Sequence, residues 1–171
     1  MNKTSSFSRR QGFSLLEILI YIAILSLMLV VIMNIIVSMV SSGRVLKALK
    51  NVENSASISL ERIIRETRQA DSVNIASSVL NIDPGRLVLE GTDALGNPRV
   101  VEFYLSSGML ILSENGVELG ALTQAEARVS SLVFRRFSGV NSDGIRTEIS
   151  IESGTSTHYR SNNFYTSATL R

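Results

Sequence analysis

The chain contains no cysteine and only one histidine among its 171 residues. The absence of cysteine excludes disulfides, thiolate metal sites and cysteine nucleophiles together. The histidine, His158, has no Gly-x-Ser-x-Gly motif elsewhere in the sequence to supply a serine nucleophile, so we interpret it as a surface or edge-strand residue. The sequence also lacks a phosphate-binding glycine motif, a metal-ligand cluster and a catalytic carboxylate pair. We therefore expect no enzymatic activity, no cofactor and no metal site.

The charged residues are nearly balanced. The chain has 17 lysines and arginines against 15 aspartates and glutamates. Residues 1–12 contain Lys3, Arg9 and Arg10 and no acid, so the rest of the chain carries 14 basic and 15 acidic side chains, a net charge of −1. A remainder this close to neutrality gives no general electrostatic attraction for nucleic acid.

A long apolar run dominates the N-terminal part of the chain. It extends from Ile18 to Val40, 23 residues whose only polar members are Tyr21, Ser26, Asn34 and Ser38. A helix of this length crosses the roughly 30 Å hydrocarbon core of a bilayer. In lipid, a single segment satisfies all of its backbone groups only as a helix. We therefore predict a transmembrane helix.

One acidic residue, Glu17, stands at the start of this run. A carboxylate in hydrocarbon costs about 2.5 to 3.5 kcal/mol at the centre of a helix and less near the interface. An acid in the first turn of a helix gains about 0.3 to 1 kcal/mol from the helix dipole. Because the dipole offsets only part of the burial, the position of Glu17 predicts a partner or a function.

The residues around Glu17 resemble a known signal. Arg9 and Arg10 precede the sequence Gly12-Phe13-Ser14-Leu15-Leu16-Glu17, and the apolar run follows it. This order resembles the N-terminal signal of type IV prepilins and of the pseudopilins of type II secretion. In that family a membrane aspartic peptidase cuts after the glycine and methylates the new N-terminus. The resemblance implies cleavage after Gly12, N-methylation of Phe13 and a role for Glu17 in assembly register.

Two other interpretations of this segment are a secretory signal peptide and a plain membrane anchor. A secretory signal peptide has an apolar core of only about 7 to 15 residues followed by a small-residue cleavage site, and neither feature describes this run. A plain anchor leaves both Gly12 and Glu17 unexplained. We expect the prepilin interpretation to hold.

In an assembly, a neighbouring subunit could supply the counterion of Glu17. Cleavage after Gly12 would free a positive amine at Phe13. When helices stack with a stagger, Glu17 of one subunit can approach the Phe13 amine of its neighbour. Correct register then becomes a condition for burying the charge, which is the best-attested use of buried ion pairs.

The resemblance implies a minor pilin-like structural subunit of a type II secretion system or a type IV pilus, most similar to the J-type minor pseudopilin. Its implied partners are prepilin peptidase, other minor and major pilins or pseudopilins, and an inner-membrane assembly platform. The implied location is the bacterial inner membrane, as a single-pass protein with its head outside the cytoplasm, and then the pilus or pseudopilus. The alternative is a competence-type minor pilin whose head binds DNA or a surface.

Helical periodicity continues after Val40, and no proline interrupts it. Apolar or small residues recur at three- and four-residue spacings, which predicts an amphipathic helix with one face toward a core. These residues are Val45, Leu46, Leu49, Val52, Ala56, Leu60, Ile63, Ile64, Thr67 and Ala70. We predict one continuous helix over residues 13–71.

The rest of the chain predicts strands separated by turns. The strand segments are Arg86–Glu90, Val100–Leu105, Met109–Leu112, Val117–Leu122, Arg128–Phe137 and Ile145–Ile151. Asn115-Gly116 between apolar runs is a strong hairpin signal. The last of these strands alternates so that Ile145, Thr147, Ile149 and Ile151 share one face. The tail, Ser161–Leu170, is either a final strand or a loose terminus.

These elements define the predicted organisation. We expect a leader peptide at residues 1–12, a transmembrane and assembly helix at 13–40, an amphipathic second half of the helix at 41–72 and a β-rich head at 73–171. A long helix followed by strands predicts an α+β fold in which an antiparallel sheet covers the apolar face of the helix. This agrees with the pilin-like fold that the resemblance implies.

Two local patterns in the head suggest ligands. Asn141-Ser142-Asp143-Gly144 is similar to the opening of a calcium loop but lacks the closing glutamate, so we interpret it as a turn. Arg135-Arg136 between Phe134 and Phe137, with Tyr159-Arg160 and Phe164-Tyr165, could form an aromatic and basic surface for single-stranded DNA. We expect Phe134 and Phe137 to lie in the core instead, and we expect no nucleic-acid partner.

Overall fold

The computed structural model describes residues 14–139, 143–155 and 158–171. Its elements are one helix and a series of strands. In chain order they are α1 (Leu15–Gln69), β1 (Ser72–Val73), β2 (Leu87–Thr92), β3 (Pro98–Ser106), β4 (Met109–Glu114), β5 (Val117–Ala121), β6 (Ala127–Ser138), β7 (Asp143–Ser153) and β8 (Arg160–Thr169).

The strands form two antiparallel sheets. The first has the order β1-β2-β3-β4-β5, and the second has the order β6-β7-β8. Within each sheet, strands that follow one another in sequence are paired. The α+β class and the packing of the helix against antiparallel strands are confirmed.

The chain divides into two compact units, Met1–Ser42 and Gly43–Arg171. In the first unit, the described part of α1 has its large apolar side chains exposed. Its most apolar 18-residue window has a mean hydropathy of 2.9, and none of that window is buried within the protein. This is the composition of a helix whose side chains are solvated by lipid. The predicted helix is present, and it is long and apolar enough to cross a membrane.

In the second unit, α1 buries one stripe of small and apolar residues. Val52, Ala56 and Ile63 pack with sheet residues in a single core. Leu46, which we predicted to face this core, is 66% exposed, and Ala48 is buried instead. The reason is rotational: two residues along a helix are about 200° apart, so Leu46 lies opposite Ala48. The prediction for Leu46 was wrong.

The buried stripe also contains polar residues that apolar periodicity does not reveal. Ser55, Ser59 and Thr67 are fully buried in α1. Ser55 Oγ accepts a hydrogen bond from the backbone amide of Gln124 at 3.1 Å. Small side chains let the sheets approach the helix closely. The buried positions of the helix therefore depend on side-chain volume as much as on hydrophobicity.

The strands of the head follow the predicted alternation. In β7, Ile145, Thr147, Ile149 and Ile151 are all buried, as predicted. The tail forms β8, which pairs with β7 along its length, so the strand alternative holds rather than the loose terminus.

The hairpin signal between β4 and β5 is also confirmed. Asn115 and Gly116 have φ values of 50° and 79°, the left-handed conformations of a type I′ turn.

Strand β6 departs from simple alternation at one place. Val129 and Leu132 are three residues apart and both buried, because a β-bulge shifts the register between Val129 and Ser131. Phe134 is fully buried, whereas Phe137 is 39% exposed. No bulge separates these two, so an odd spacing places them on opposite faces. The core prediction for Phe137 was wrong.

Candidate functional site

The N-terminus of α1 holds the predicted acid. The backbone amides of Glu17 and Ile18 donate to the carbonyl of Ser14 at 3.0 and 3.2 Å, which closes the first turn. Glu17 therefore lies within the first turn, where the helix dipole favours an acid. The predicted cleavage residues Gly12 and Phe13 lie outside the described residues, and their roles remain predictions.

Glu17 has a partner that the sequence analysis missed. The hydroxyl of Tyr21 donates a hydrogen bond to Glu17 Oε1 at 2.9 Å. The two residues are four apart, and side chains at that spacing on a helix are neighbours. The spacing of an acid and a tyrosine was the available signal. A neutral hydroxyl satisfies part of the acceptor capacity of Glu17 but supplies no positive charge to it.

The other polar side chains of the apolar segment differ in how they are satisfied. Ser26 Oγ donates to the carbonyl of Ala23 at 2.9 Å, and Ser41 Oγ donates to the carbonyl of Ser38 at 2.8 Å. Asn34 is exposed, and within the described ranges its amide forms no hydrogen bond. An amide without a partner in hydrocarbon costs about 4 to 8 kcal/mol. The amide of Asn34 is therefore costly to place in lipid without a partner.

Near the end of α1, a buried ion-pair network joins the helix to the first sheet. Glu66, whose side chain is 2% exposed, lies 2.7 Å from Arg99 Nη1. Arg62 Nε lies 2.9 Å from the other carboxylate oxygen of Glu66, an ion pair without a well-aligned hydrogen bond. Arg99 comes from β3, so this carboxylate joins the helix and the sheet.

Arg99 also forms a two-pronged contact with Glu114 of β4. Arg99 Nε and Nη2 donate to the two oxygens of Glu114 at 2.8 and 2.9 Å. These hydrogen bonds lower the pKa of Glu114 below its ordinary range, and they raise the pKa of Arg99 further above neutrality. Both groups are therefore charged at neutral pH, and the network is a structural clamp.

Two arginines of the possible DNA surface, Arg135 and Arg136, are paired with acids. Arg135 Nε lies 3.1 Å from Glu148 Oε1, and Arg136 forms an ion pair with Asp143. That pairing lowers the pKa of Asp143. Arginines neutralised in this way provide no basic field for a phosphate backbone.

The remaining ligand patterns have ordinary surroundings. Asn141 and Ser142 of the possible calcium loop lie outside the described residues, and Asp143 binds Arg136. The backbone amide of His158 donates to the carbonyl of Thr155 at 3.1 Å. Among the residues with a described structure, no group of three or more acidic, histidine or cysteine residues is arranged to hold a metal ion.

Comparison with known proteins identifies the N-terminal segment. A family model described as the prokaryotic N-terminal methylation motif matches residues 7–33. No curated protein and no solved structure matches the chain. The matched residues include Gly12, Phe13, Glu17 and the apolar run as far as Met33. The motif and the exposed apolar helix together support one interpretation of the chain. In it, the chain is a membrane-anchored, type IV pilin-like substrate of prepilin peptidase that assembles with other pilins.

Proposed function

We propose that this chain is a minor pilin-like subunit, most similar to the J-type minor pseudopilin, of a type II secretion system or a type IV pilus. The observation that carries the proposal is the methylation motif at residues 7–33, which overlaps the first part of an exposed apolar helix. In this role the protein does mechanical rather than chemical work. Its helix enters the fibre, and its head determines its neighbours.

The proposed processing step acts on Gly12 and Phe13. Prepilin peptidase cuts after Gly12 on the cytoplasmic side of the inner membrane, and Phe13 becomes the N-methylated first residue. The new amine is positive and lies four residues before Glu17. One helix therefore presents both a cation and an anion near the same end.

Glu17 is the proposed assembly residue. Its hydrogen-bond partner in the isolated chain, the Tyr21 hydroxyl at 2.9 Å, is neutral. A neighbouring subunit displaced along the fibre axis supplies the Phe13 amine as a counterion. Charge-assisted hydrogen bonds are roughly twice as strong as neutral ones. The staggered register is therefore favoured over alternatives that leave the carboxylate with a hydroxyl alone.

The head is proposed to lie outside the cytoplasm and to contact other minor and major subunits after extraction by an inner-membrane assembly platform. The long head and the arginine-rich second half of α1, with Arg62, Arg65 and Arg68, support a minor rather than a major subunit. A minor subunit contacts several different neighbours and therefore needs distinct surfaces.

The test of assembly is a Glu17→Ala variant, with Glu126→Ala as a matched control because Glu126 is exposed on the head. Both variants are expected to lose residues 1–12 in the presence of prepilin peptidase. Fibres sheared from cells that express the cognate system should contain Glu126→Ala at wild-type levels and almost no Glu17→Ala. Equal incorporation of the two variants would refute the register role.

A further inference from the structure

Asn34 lies on a polar strip within the apolar part of α1. Asn34, Ser38 and Ser42 follow one another at four-residue intervals, so they lie close together along one side of the helix. They line a shallow groove together with Val31, Ile35 and Met39. All of these residues belong to the first unit of the chain.

The groove differs from the rest of the segment in having an unsatisfied amide. Serine hydroxyls on a helix can donate to their own backbone, as Ser26 and Ser41 do. The amide of Asn34 has no such bond in the described part of the chain. It lies roughly 7 to 8 Å from the midpoint of the Ile18–Val40 run, at 1.5 Å per residue, which is inside the hydrocarbon core. Lipid tails offer no donor or acceptor there, so the missing partner must come from another helix.

We propose that this groove binds a second copy of the chain in the membrane through reciprocal hydrogen bonds between the two Asn34 amides. A primary amide carries both donors and an acceptor, so it is complementary to itself. Copies of one single-pass chain share one orientation, and a twofold axis along the membrane normal places Asn34 opposite Asn34 at the same depth. Both amides are then satisfied without any other protein.

The spacing around Asn34 supports close helix packing. Val31, Asn34 and Ser38 follow at three and four residues, the spacing of a left-handed parallel pair. Ser38 is small enough to let two backbones approach, and small residues characterise helix contacts in membranes. Ser38 is therefore predicted to lie next to the symmetry axis. Ile36, two residues away, is about 160° from both Asn34 and Ser38 around the helix and faces lipid.

The absence of native cysteine permits a direct test. The full-length chain carrying either Ser38→Cys or Ile36→Cys is expressed in bacterial membranes and oxidised, and the products are weighed. Ser38→Cys should give a disulfide-linked dimer of twice the chain mass, and Ile36→Cys should give little. Equal yields at the two positions would indicate random collision. Disulfide-linked products that join the chain only to other proteins would show that the groove binds a different partner. Equal yields or such products would each overturn the proposal.

The role of the amide is tested by Asn34→Leu in the Ser38→Cys background. An interhelical hydrogen bond in a membrane raises the association constant of two helices about threefold to twentyfold. Without the amide, the dimer yield at low expression should fall by that factor. Ser26→Ala is the matched control, because the Ser26 hydroxyl is already bonded to Ala23, and its yield should not change. An undiminished yield for Asn34→Leu would overturn the proposal.

The result does not depend on processing at Gly12. The experiment is done in a host without prepilin peptidase, where the leader is retained, so a missing dimer and a missing cleavage are separate outcomes. Membrane fractionation and circular dichroism of each variant verify insertion and helicity. The amide makes no bond within the described chain, so its removal leaves α1 intact.

Discussion

Replacement of Arg99 by methionine tests whether the clamp between α1 and the first sheet stabilises the head. Arg99 Nη1 lies 2.7 Å from Glu66, whose side chain is 2% exposed, while Arg99 itself is 18% exposed. Removal of one member of a buried ion pair costs about 3 to 5 kcal/mol. Arg62 remains near Glu66 after the replacement, and hydrogen bonds to charged groups contribute about 1.5 to 3 kcal/mol. We therefore expect Arg99→Met to lower the free energy of unfolding by about 2 to 3 kcal/mol.

The assay is thermal unfolding of the full-length chain in detergent, followed by the near-ultraviolet circular dichroism of the tyrosines. For a unit of this size, the expected loss corresponds to a decrease of about 6 to 15 °C in the midpoint temperature. Arg135→Met is the control, because the Arg135 side chain is 48% exposed in its ion pair with Glu148. Such surface pairs contribute about 0.2 to 1 kcal/mol.

The double variant Glu66→Met, Arg99→Met separates two possible causes of the lost stability. One is the loss of the attraction between Arg99 and Glu66, and the other is the burial of a Glu66 carboxylate without its partner. Replacing both members of a buried pair by apolar residues is often nearly neutral, so the double variant should recover most of the lost stability. An Arg99→Met variant that is no less stable than Arg135→Met would refute the reasoning. A double variant as unstable as Arg99→Met would show that the carboxylate is not the source of the loss.

Three further predictions concern the head. The Thr147 hydroxyl is buried without a hydrogen-bond partner among the described residues, so Thr147→Val should raise the free energy of unfolding by about 1 kcal/mol; a lower midpoint temperature would contradict this. A β-carbon on Gly144 would lie 2.3 Å from Phe137 Cζ and 2.6 Å from the Ala168 carbonyl, whereas one on Gly43 meets nothing within 4 Å. Gly144→Ala should therefore destabilise by about 1 to 3 kcal/mol, and Gly43→Ala should stabilise slightly in the same melts. Arg99 holds the pKa of Glu114 below its ordinary value of 4.5, so the stability from this pair is present above that value and is lost as the pH falls through the lowered pKa. From about pH 5 to pH 3 the wild type should lose stability more steeply than Glu114→Gln; parallel profiles would contradict this.

The sequence predicts those elements that depend on local pattern. The length of the apolar run is sufficient to identify a membrane helix, and the alternation of Ile145, Thr147, Ile149 and Ile151 is sufficient to assign the buried face of β7. The motif around Gly12 and Glu17 is also local, because leader charge, glycine, aromatic residue and acid stand in a fixed order.

The features that the sequence does not predict depend on residues distant along the chain. Glu66 and Arg99 are 33 residues apart, and nothing in their surroundings in the sequence pairs them. The bulge between Val129 and Ser131 is a feature of strand pairing, so alternation alone does not predict that Val129 and Leu132 are both buried. Leu46 is exposed because the rotation of the helix is fixed by close packing at Ala48 and Ser55, both buried in α1.

The mass of the intact chain tests the central claim most directly. The protein is purified from cells that contain active prepilin peptidase and from matched cells that lack it, and each product is weighed. We expect loss of residues 1–12 and the gain of one methyl group at Phe13 in the first sample, with the full-length mass in the second. The same full-length mass in both samples would contradict it.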